Sequence, residues 1–216
     1  MTGEQVAGEQ SSILILPIKA FHQAKGRLAQ ALTASQRARL ARECAERVVS
    51  AAEKMAIIVV TDDSPNNDVP AWVAALHEAG CNIECLIQRS LGLNGAVRDG
   101  VAVAKSRNFT SVVIAHSDVP LATDVTEFIS PNSICIVPDR HDSGTNLMVL
   151  PTAIEFNFHY GEGSFTAHVD EAIACGFSPR IAINPNWALD LDEPHDLFDP
   201  RVKEAMPWLL TSPDNH

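Results

Sequence analysis

Ser111-Val112-Val113-Ile114-Ala115, followed by His116-Ser117-Asp118, is an unbroken apolar run that ends on a polar triplet. Its length and β-branched content predict a strand buried on both faces. The pattern recurs outward from it in both directions. Ile13-Leu14-Ile15-Leu16 stops at Pro17, and Ala56-Ile57-Ile58-Val59-Val60 runs into Thr61-Asp62-Asp63. Ile83 to Ile87, Ile134-Cys135-Ile136-Val137 and Leu147 to Leu150 read as further strands. Helical segments lie between them. The first starts at a Ser35 cap and runs to about Met55, with Leu40, Cys44 and Val48 on one face. Pro70 to Ala79 is the second, stopped by Gly80. Residues 94–107, a weaker segment near 122–130, and residues 164–175 follow, then extended chain from Arg180 to Leu191. Strands alternating with helices predict an α/β fold in one domain, with a mostly parallel central sheet covered by helices on both faces. We place the domain at residues 13–204, between an N-terminal tail (1–12) and a C-terminal tail (205–216).

The bulk numbers agree with a globular chain. Of 216 residues, 46% are apolar and 20% charged, and no apolar run approaches the length of a membrane span. A chain of this size buries roughly 70% of its unfolded surface, enough for a core without disulfides or structural metal. Gln10-Ser11-Ser12 before the short run Ile13 to Ile18 does not form a signal peptide, so the cytoplasm is the expected address. A net charge of −11 argues against general nucleic-acid or anionic-membrane binding. Cys44, Cys81, Cys85, Cys135 and Cys175 have no metal-finger spacing and read as reduced thiols.

In open α/β sheets, ligands gather beyond the carboxyl ends of the strands, where this chain keeps its polar clusters. Lys19, Lys25 and Arg27 follow the first strand and suit a polyphosphate, although a solvated basic loop is the simpler reading of that segment alone. No GxxxxGK[ST] or GxGxxG pattern is present. Asp118 at the end of its strand is placed to meet Mg²⁺, or to cap the next helix. In Leu189-Asp190-Leu191-Asp192-Glu193-Pro194, an extended backbone would turn Asp190 and Asp192 to one side, where a cation relieves their repulsion. We assign those two to metal and Asp196 to structure; a solvated acidic helix start fits the motif equally well. Gly144-Thr145-Asn146 and Tyr160-Gly161-Glu162-Gly163-Ser164-Phe165 place small residues where backbone N–H groups reach an anion. The histidines form no zinc pattern, and there is no GxSxG.

Taken in order, these motifs resemble the guanylyltransferase family of deazaflavin coenzyme (F-420) biosynthesis, within the nucleotidyltransferases of Rossmann-like core. The matching segments are Leu16-Pro17-Ile18-Lys19 with Lys25-Gly26-Arg27-Leu28, Gly92-Leu93-Asn94, and His116-Ser117-Asp118-Val119-Pro120-Leu121. Pro138-Asp139-Arg140, Gly144-Thr145-Asn146, the Tyr160 to Phe165 motif with His168, and Leu189 to Pro194 complete them, spanning residues 13–198. The resemblance implies that Thr145, Gly161 and Ser164 hold a phosphorylated acid and that Asp118, Asp190 and Asp192 hold Mg²⁺. It implies that Lys19, Lys25 and Arg27 face the GTP phosphates and that Pro17, Leu93 and Asn94 line the nucleotide pocket. Lys19, Lys25 and Asp118 would be the catalytic groups. Two features depart from the family pattern: Gly95 stands where alanine is expected, and His141-Asp142-Ser143 is an unusual spacer before Gly144.

The implied reaction moves GMP from GTP to the phosphate of 2-phospho-L-lactate, phosphoenolpyruvate or 3-phosphoglycerate, with loss of pyrophosphate. His141, Ser143 and Thr145 are the candidates for choosing the acid. Two other readings compete: another nucleotidyltransferase or nucleotide-sugar glycosyltransferase of the same metal geometry, and a non-catalytic GTP-binding sensor. A homodimer is implied by the resemblance alone.

Overall fold

The computed structural model describes residues 11–52 and 54–210. The tails expected at residues 1–10 and 211–216 lie outside the described residues.

The strands are β1 (Ser12–Pro17), β2 (Ala56–Thr61), β3 (Ile83–Ile87), β4 (Ser111–Ala115), β5 (Cys135–Pro138), β6 (Thr145–Pro151) and β7 (Arg180–Ile181). The helices are α1 (Ala34–Ala51), α2 (Val69–Glu78), α3 (Gly92–Ser106), α4 (Ser164–Ala174) and α5 (Pro200–Ala205). The described residues form one seven-stranded sheet in the order β3-β2-β1-β4-β6-β5-β7. β1 pairs in parallel with β2 and β4, and β2 with β3; β6 runs antiparallel to both β4 and β5. The reversal at β6 has a local cause. Residues 139–144, which join β5 to β6, are too few for a crossover and make a hairpin instead.

Period-two patterning divides the core. Leu14, Leu16, Ile57, Val59, Val113 and Ala115 face α1 and α2, whereas Ile13, Ile15, Ile58, Val60, Val112 and Ile114 face α3 and α4. The expected two-sided sheet is therefore present. A third apolar cluster unites Leu28, Leu40 and Cys44 with Leu189, Leu191, Leu197, Met206 and Leu209. It seats the loop after β1 beside a segment more than 150 residues later in the chain. Among the described residues, no helix is long and apolar enough to cross a membrane.

Several element boundaries differ from the sequence reading. α1 is capped by Thr33, not Ser35: the Gln36 N–H donates to Thr33 Oγ1 at 3.3 Å and the Thr33 N–H donates to Gln36 Oε1 at 2.8 Å. That helix also stops at Ala51, short of Met55. The segment 122–130 holds a 3₁₀ turn at Val125–Phe128, and the extended chain after Arg180 keeps ladder pairing over two residues. Ser12 belongs to β1, and Pro207–Leu210 form a 3₁₀ turn with Leu209 buried, so residues 12 and 205–210 are folded, not tail.

Candidate active site

Lys25 adopts a left-handed backbone conformation (φ 58°, ψ 38°) at the start of a 3₁₀ turn, Gly26–Gln30, after β1. Leu28 anchors that turn in the third apolar cluster. The Lys25 ammonium is nearly buried and donates to Asp118 Oδ2 at 3.0 Å and to Asp192 Oδ1 at 3.4 Å. Arg27, exposed, stands 3.6 Å from both Asp192 Oδ2 and Glu193 Oε1. Asp118 is delivered by the buried strand β4, and its carbonyl accepts from the Leu191 N–H at 3.3 Å. That bond docks the Asp190–Asp192 segment against the end of β4. Pro17, Lys19, Lys25, Arg27, Leu93, Asp118 and Asp192 thus border one cleft of about 360 Å³. Lys19 is exposed at it and makes no ion pair with another described residue.

The electrostatics follow from burial and proximity. Burial works against charge on Lys25, yet Asp118 and Asp192 hold its pKa above the usual lysine value. Burial likewise opposes ionisation of Asp118, but Lys25 and then His116 hold it below the ordinary carboxylate range. Asp190 is pushed up to about 6, first by burial and then by the Asp118 and Asp192 charges. Three carboxylates are therefore close enough to repel, and Lys25 offsets them, by direct hydrogen bonds to Asp118 and Asp192 and through its charge at Asp190.

These observations test the expected Mg²⁺. Oxygen donors suit a hard cation, Mg²⁺ needs one or two carboxylates besides phosphate and water, and Asp118 Oδ1 is buried without a hydrogen-bond partner. Among the described residues no three His, Cys, Asp or Glu side chains already form a metal cage. The donor set fits a cation that arrives with phosphate.

The second half of the site surrounds α4. Gly161 (φ 136°) and Gly163 (φ 73°) turn the chain so that Ser164 begins the helix. Gly161 is exposed, whereas Ser164 and Thr145 are buried. Thr145 Oγ1 is 3.0 Å from His168 Nδ1, and His168 Nε2 accepts from the His159 N–H at 3.0 Å. With Nε2 accepting, the neutral ring carries its proton on Nδ1 and donates to Thr145. The Thr145 side chain is thus an internal partner of His168, away from open solvent.

Two carboxylates organise the neighbouring loops: Asp139, which had no expected role, and Asp196, assigned to structure from the sequence. Asp139 gathers the loop before β6: its Oδ1 accepts from the N–H groups of His141 and Ser143 at 2.9 Å, and its Oδ2 from Gly144 at 2.7 Å. His141 and Ser143 themselves are exposed. Asp196 is buried; its Oδ2 accepts from the N–H groups of Asp192 and Glu193 at 2.8 Å, and its Oδ1 pairs with Arg140. Arg140 had no expected role, yet through Asp196 it ties the 139–144 loop to the acidic segment. Asp139 accepting from the N–H two residues on is an Asx turn, a pattern that Asp in a polar loop signals in the sequence.

Asn94, expected to line the nucleotide pocket, is held by Tyr160. Its Nδ2 donates to the Tyr160 carbonyl at 3.1 Å, and its Oδ1 accepts from the Tyr160 N–H at 2.7 Å. Gly95 has a steric reason: a Cβ there would meet Ser90 C and O at 2.7 Å. Asp99 holds that Ser90 turn through the N–H groups of Arg89 and Ser90 and the Ser90 hydroxyl.

Comparison with known proteins places these residues in a wider set. The family profile described as "Guanylyl transferase CofC like" matches residues 12–201. A phosphoenolpyruvate guanylyltransferase of Rubrobacter xylanophilus is 33% identical over 195 residues, covering 87% of this chain and 92% of the relative. A protein of the same description from Conexibacter woesei is 32% identical, covering 87% and 86%. Among solved structures, a Desulfovibrio desulfuricans G20 protein provisionally assigned as a nucleotide-diphospho-sugar transferase superposes with a TM-score of 0.73 at 15% identity, over 93% of this chain and 94% of that one. The 4-diphosphocytidyl-2C-methyl-D-erythritol synthase of Anaerococcus prevotii gives 0.59 at 12% identity, over 93% and 99%. These two likenesses establish the nucleotidyltransferase-like fold.

Proposed function

The chain belongs to the CofC-like guanylyl transferase family, and on that premise we propose that it transfers GMP from GTP to the phosphate of a small phosphorylated three-carbon acid, releasing pyrophosphate. Phosphoenolpyruvate is the acceptor we assign, because relatives at 31–33% identity are described as acting on it. The assignment puts the chain in coenzyme F-420 biosynthesis. The observation that carries the reading is the meeting of Lys25, Asp118 and Asp192 at one cleft between the ends of β1 and β4.

In this reading an oxygen of the acceptor phosphate attacks the α-phosphorus of GTP in line. The bond from that phosphorus to the oxygen bridging to the β-phosphate breaks, and its electron pair leaves with pyrophosphate. The attacking phosphate is already ionised at neutral pH, so no strong general base is required. The main barrier is repulsion between two anions. Lys25 and Arg27 reduce it from the loop after β1, and Lys19 meets the triphosphate at the cleft mouth. Mg²⁺, held by Asp118, Asp190 and Asp192, would neutralise developing phosphate charge. Gly161 would present its backbone N–H to the acid and Ser164 its hydroxyl at the start of α4, the Ser164 N–H being bonded to the Gly161 carbonyl at 3.1 Å.

Pyrophosphate release from GTP and Mg²⁺ is the test, with phosphoenolpyruvate, 2-phospho-L-lactate and 3-phosphoglycerate supplied separately and ATP as control. Release that requires GTP and phosphoenolpyruvate is expected. Release with another of the acids reassigns the acceptor. Silence with all three from folded protein overturns the reading.

A further inference from the structure

Asn94 occupies the first turn of α3, one residue after Leu93, which lines the nucleotide cleft. Both polar atoms of its carboxamide are committed to the backbone of Tyr160, sixty-six residues away, as donor to the carbonyl and acceptor from the N–H. This two-point pairing imitates the exchange between neighbouring strands and fixes the orientation of one peptide plane on each side of Tyr160. On α4, His168 Nε2 accepts the N–H of His159 at 3.0 Å. The Tyr160 ring also lies edge-on to His168, with centroids 4.7 Å apart. The strap His159-Tyr160-Gly161 is therefore gripped by α3 and α4 together, directly before the positive-φ turn that leads to Ser164.

We infer that Asn94 is a positioning residue for the acceptor-binding strap: it joins the helix that borders the nucleotide to the loop that receives the phosphorylated acid, and it does not read the base. The inference rests on the proposed acceptor role of Gly161 and Ser164. Its physical basis is that a glycine-rich turn has many backbone conformations, and N–H groups aim at an anion only when the preceding peptide planes are held. The amide keeps one N–H and one lone pair, but with both its nitrogen and its oxygen held by Tyr160 it cannot turn to follow a guanine edge.

Asn94→Ala removes both bonds. Asn94→Asp keeps an oxygen for the Tyr160 N–H but sets a second oxygen against the Tyr160 carbonyl, at nearly unchanged volume. Steady-state kinetics should show the KM for phosphoenolpyruvate rising roughly tenfold or more in each variant, the scale for losing one or two hydrogen bonds. The Kd for GTP, titrated without acceptor, should stay within about twofold of wild type, since the base loses no contact. Hydrogen exchange supplies a readout independent of turnover: the Tyr160 amide should exchange faster in Asn94→Ala while the β1 and β4 amides stay protected. A loss of GTP affinity with unchanged acceptor KM would show that Asn94 contacts the nucleotide and would overturn the inference, as would unchanged values for both. If wild-type protein releases no pyrophosphate with any acceptor, the proposed function fails by itself. Unchanged Tyr160 exchange in Asn94→Ala would then sink the positioning role separately.

Discussion

The Lys25 ammonium lies 3.0 Å from Asp118 Oδ2, a contact that spans ninety-three residues and joins the loop after β1 to the end of β4. It makes Lys25 the counter-ion of the carboxylates as well as a candidate phosphate ligand. Removing it leaves negative charge without a partner. Lys25→Ala is expected to lower stability by about 1–3 kcal/mol, as for losing a charged hydrogen bond. Added Mg²⁺ should then raise the Tm of the variant more than that of wild type, because a divalent cation replaces the missing charge. Equal Mg²⁺ shifts in the two melts would count against the carboxylates as a cation site.

Asp118→Asn and Asp190→Asn should each reduce turnover by at least ~10²-fold, the scale for removing one preorganised electrostatic group. Single-turnover assays with saturating GTP separate this from weaker binding. Near-normal turnover in both variants would remove the proposed metal role.

Asp196 tests the loop framework. Its carboxylate pairs with Arg140 and accepts from the N–H groups of Asp192 and Glu193 while buried. Asp196→Ala should destabilise the fold by about 3–5 kcal/mol, since it leaves Arg140 and two amides without their partner. Chemical denaturation measures the loss, and a change under about 1 kcal/mol would show that the acidic segment is held by other contacts.

His168 predicts a pH dependence. Burial first, then His159 and His116, push its pKa down to about 4, while Glu171 pulls the other way. The unfolded chain therefore binds a proton on this residue that the folded chain refuses, so stability falls as pH drops from about 6.5 towards 4. The full contribution is of order 3 kcal/mol. His168→Asn lacks the titration, so its stability should fall less steeply than wild type over this window. Parallel slopes would refute the assignment.

Gly95→Ala should cost about 1–3 kcal/mol by overpacking, because the added methyl meets main-chain atoms of Ser90 that cannot rotate away. A thermal melt decides it: an unchanged Tm would mean that the Ser90 turn yields freely. The sequence marks this glycine only as a departure from the expected alanine, whereas the structure supplies close packing of the turn on α3.

The apolar runs alone specified the strands, and their period of two assigned the sheet faces. Leu14 and Leu16 face one helical layer and Ile13 and Ile15 the other because alternate side chains on a strand must point apart. Strand ends in such sheets share one edge, which set Lys25 beside Asp118, and the family resemblance carried by the motif order added Asp192. What tertiary structure alone decided are the partners. Asn94 lies beside Leu93 in the sequence, but its amide is claimed by Tyr160, and Thr145 turns its hydroxyl to His168. The reversal of β6 and the Arg140 to Asp196 link belong to the same class. Periodicity is a property of neighbouring residues and can be read along the chain. A hydrogen-bond partner is set by which segments the core brings within about 3 Å, and that distance exists only after folding.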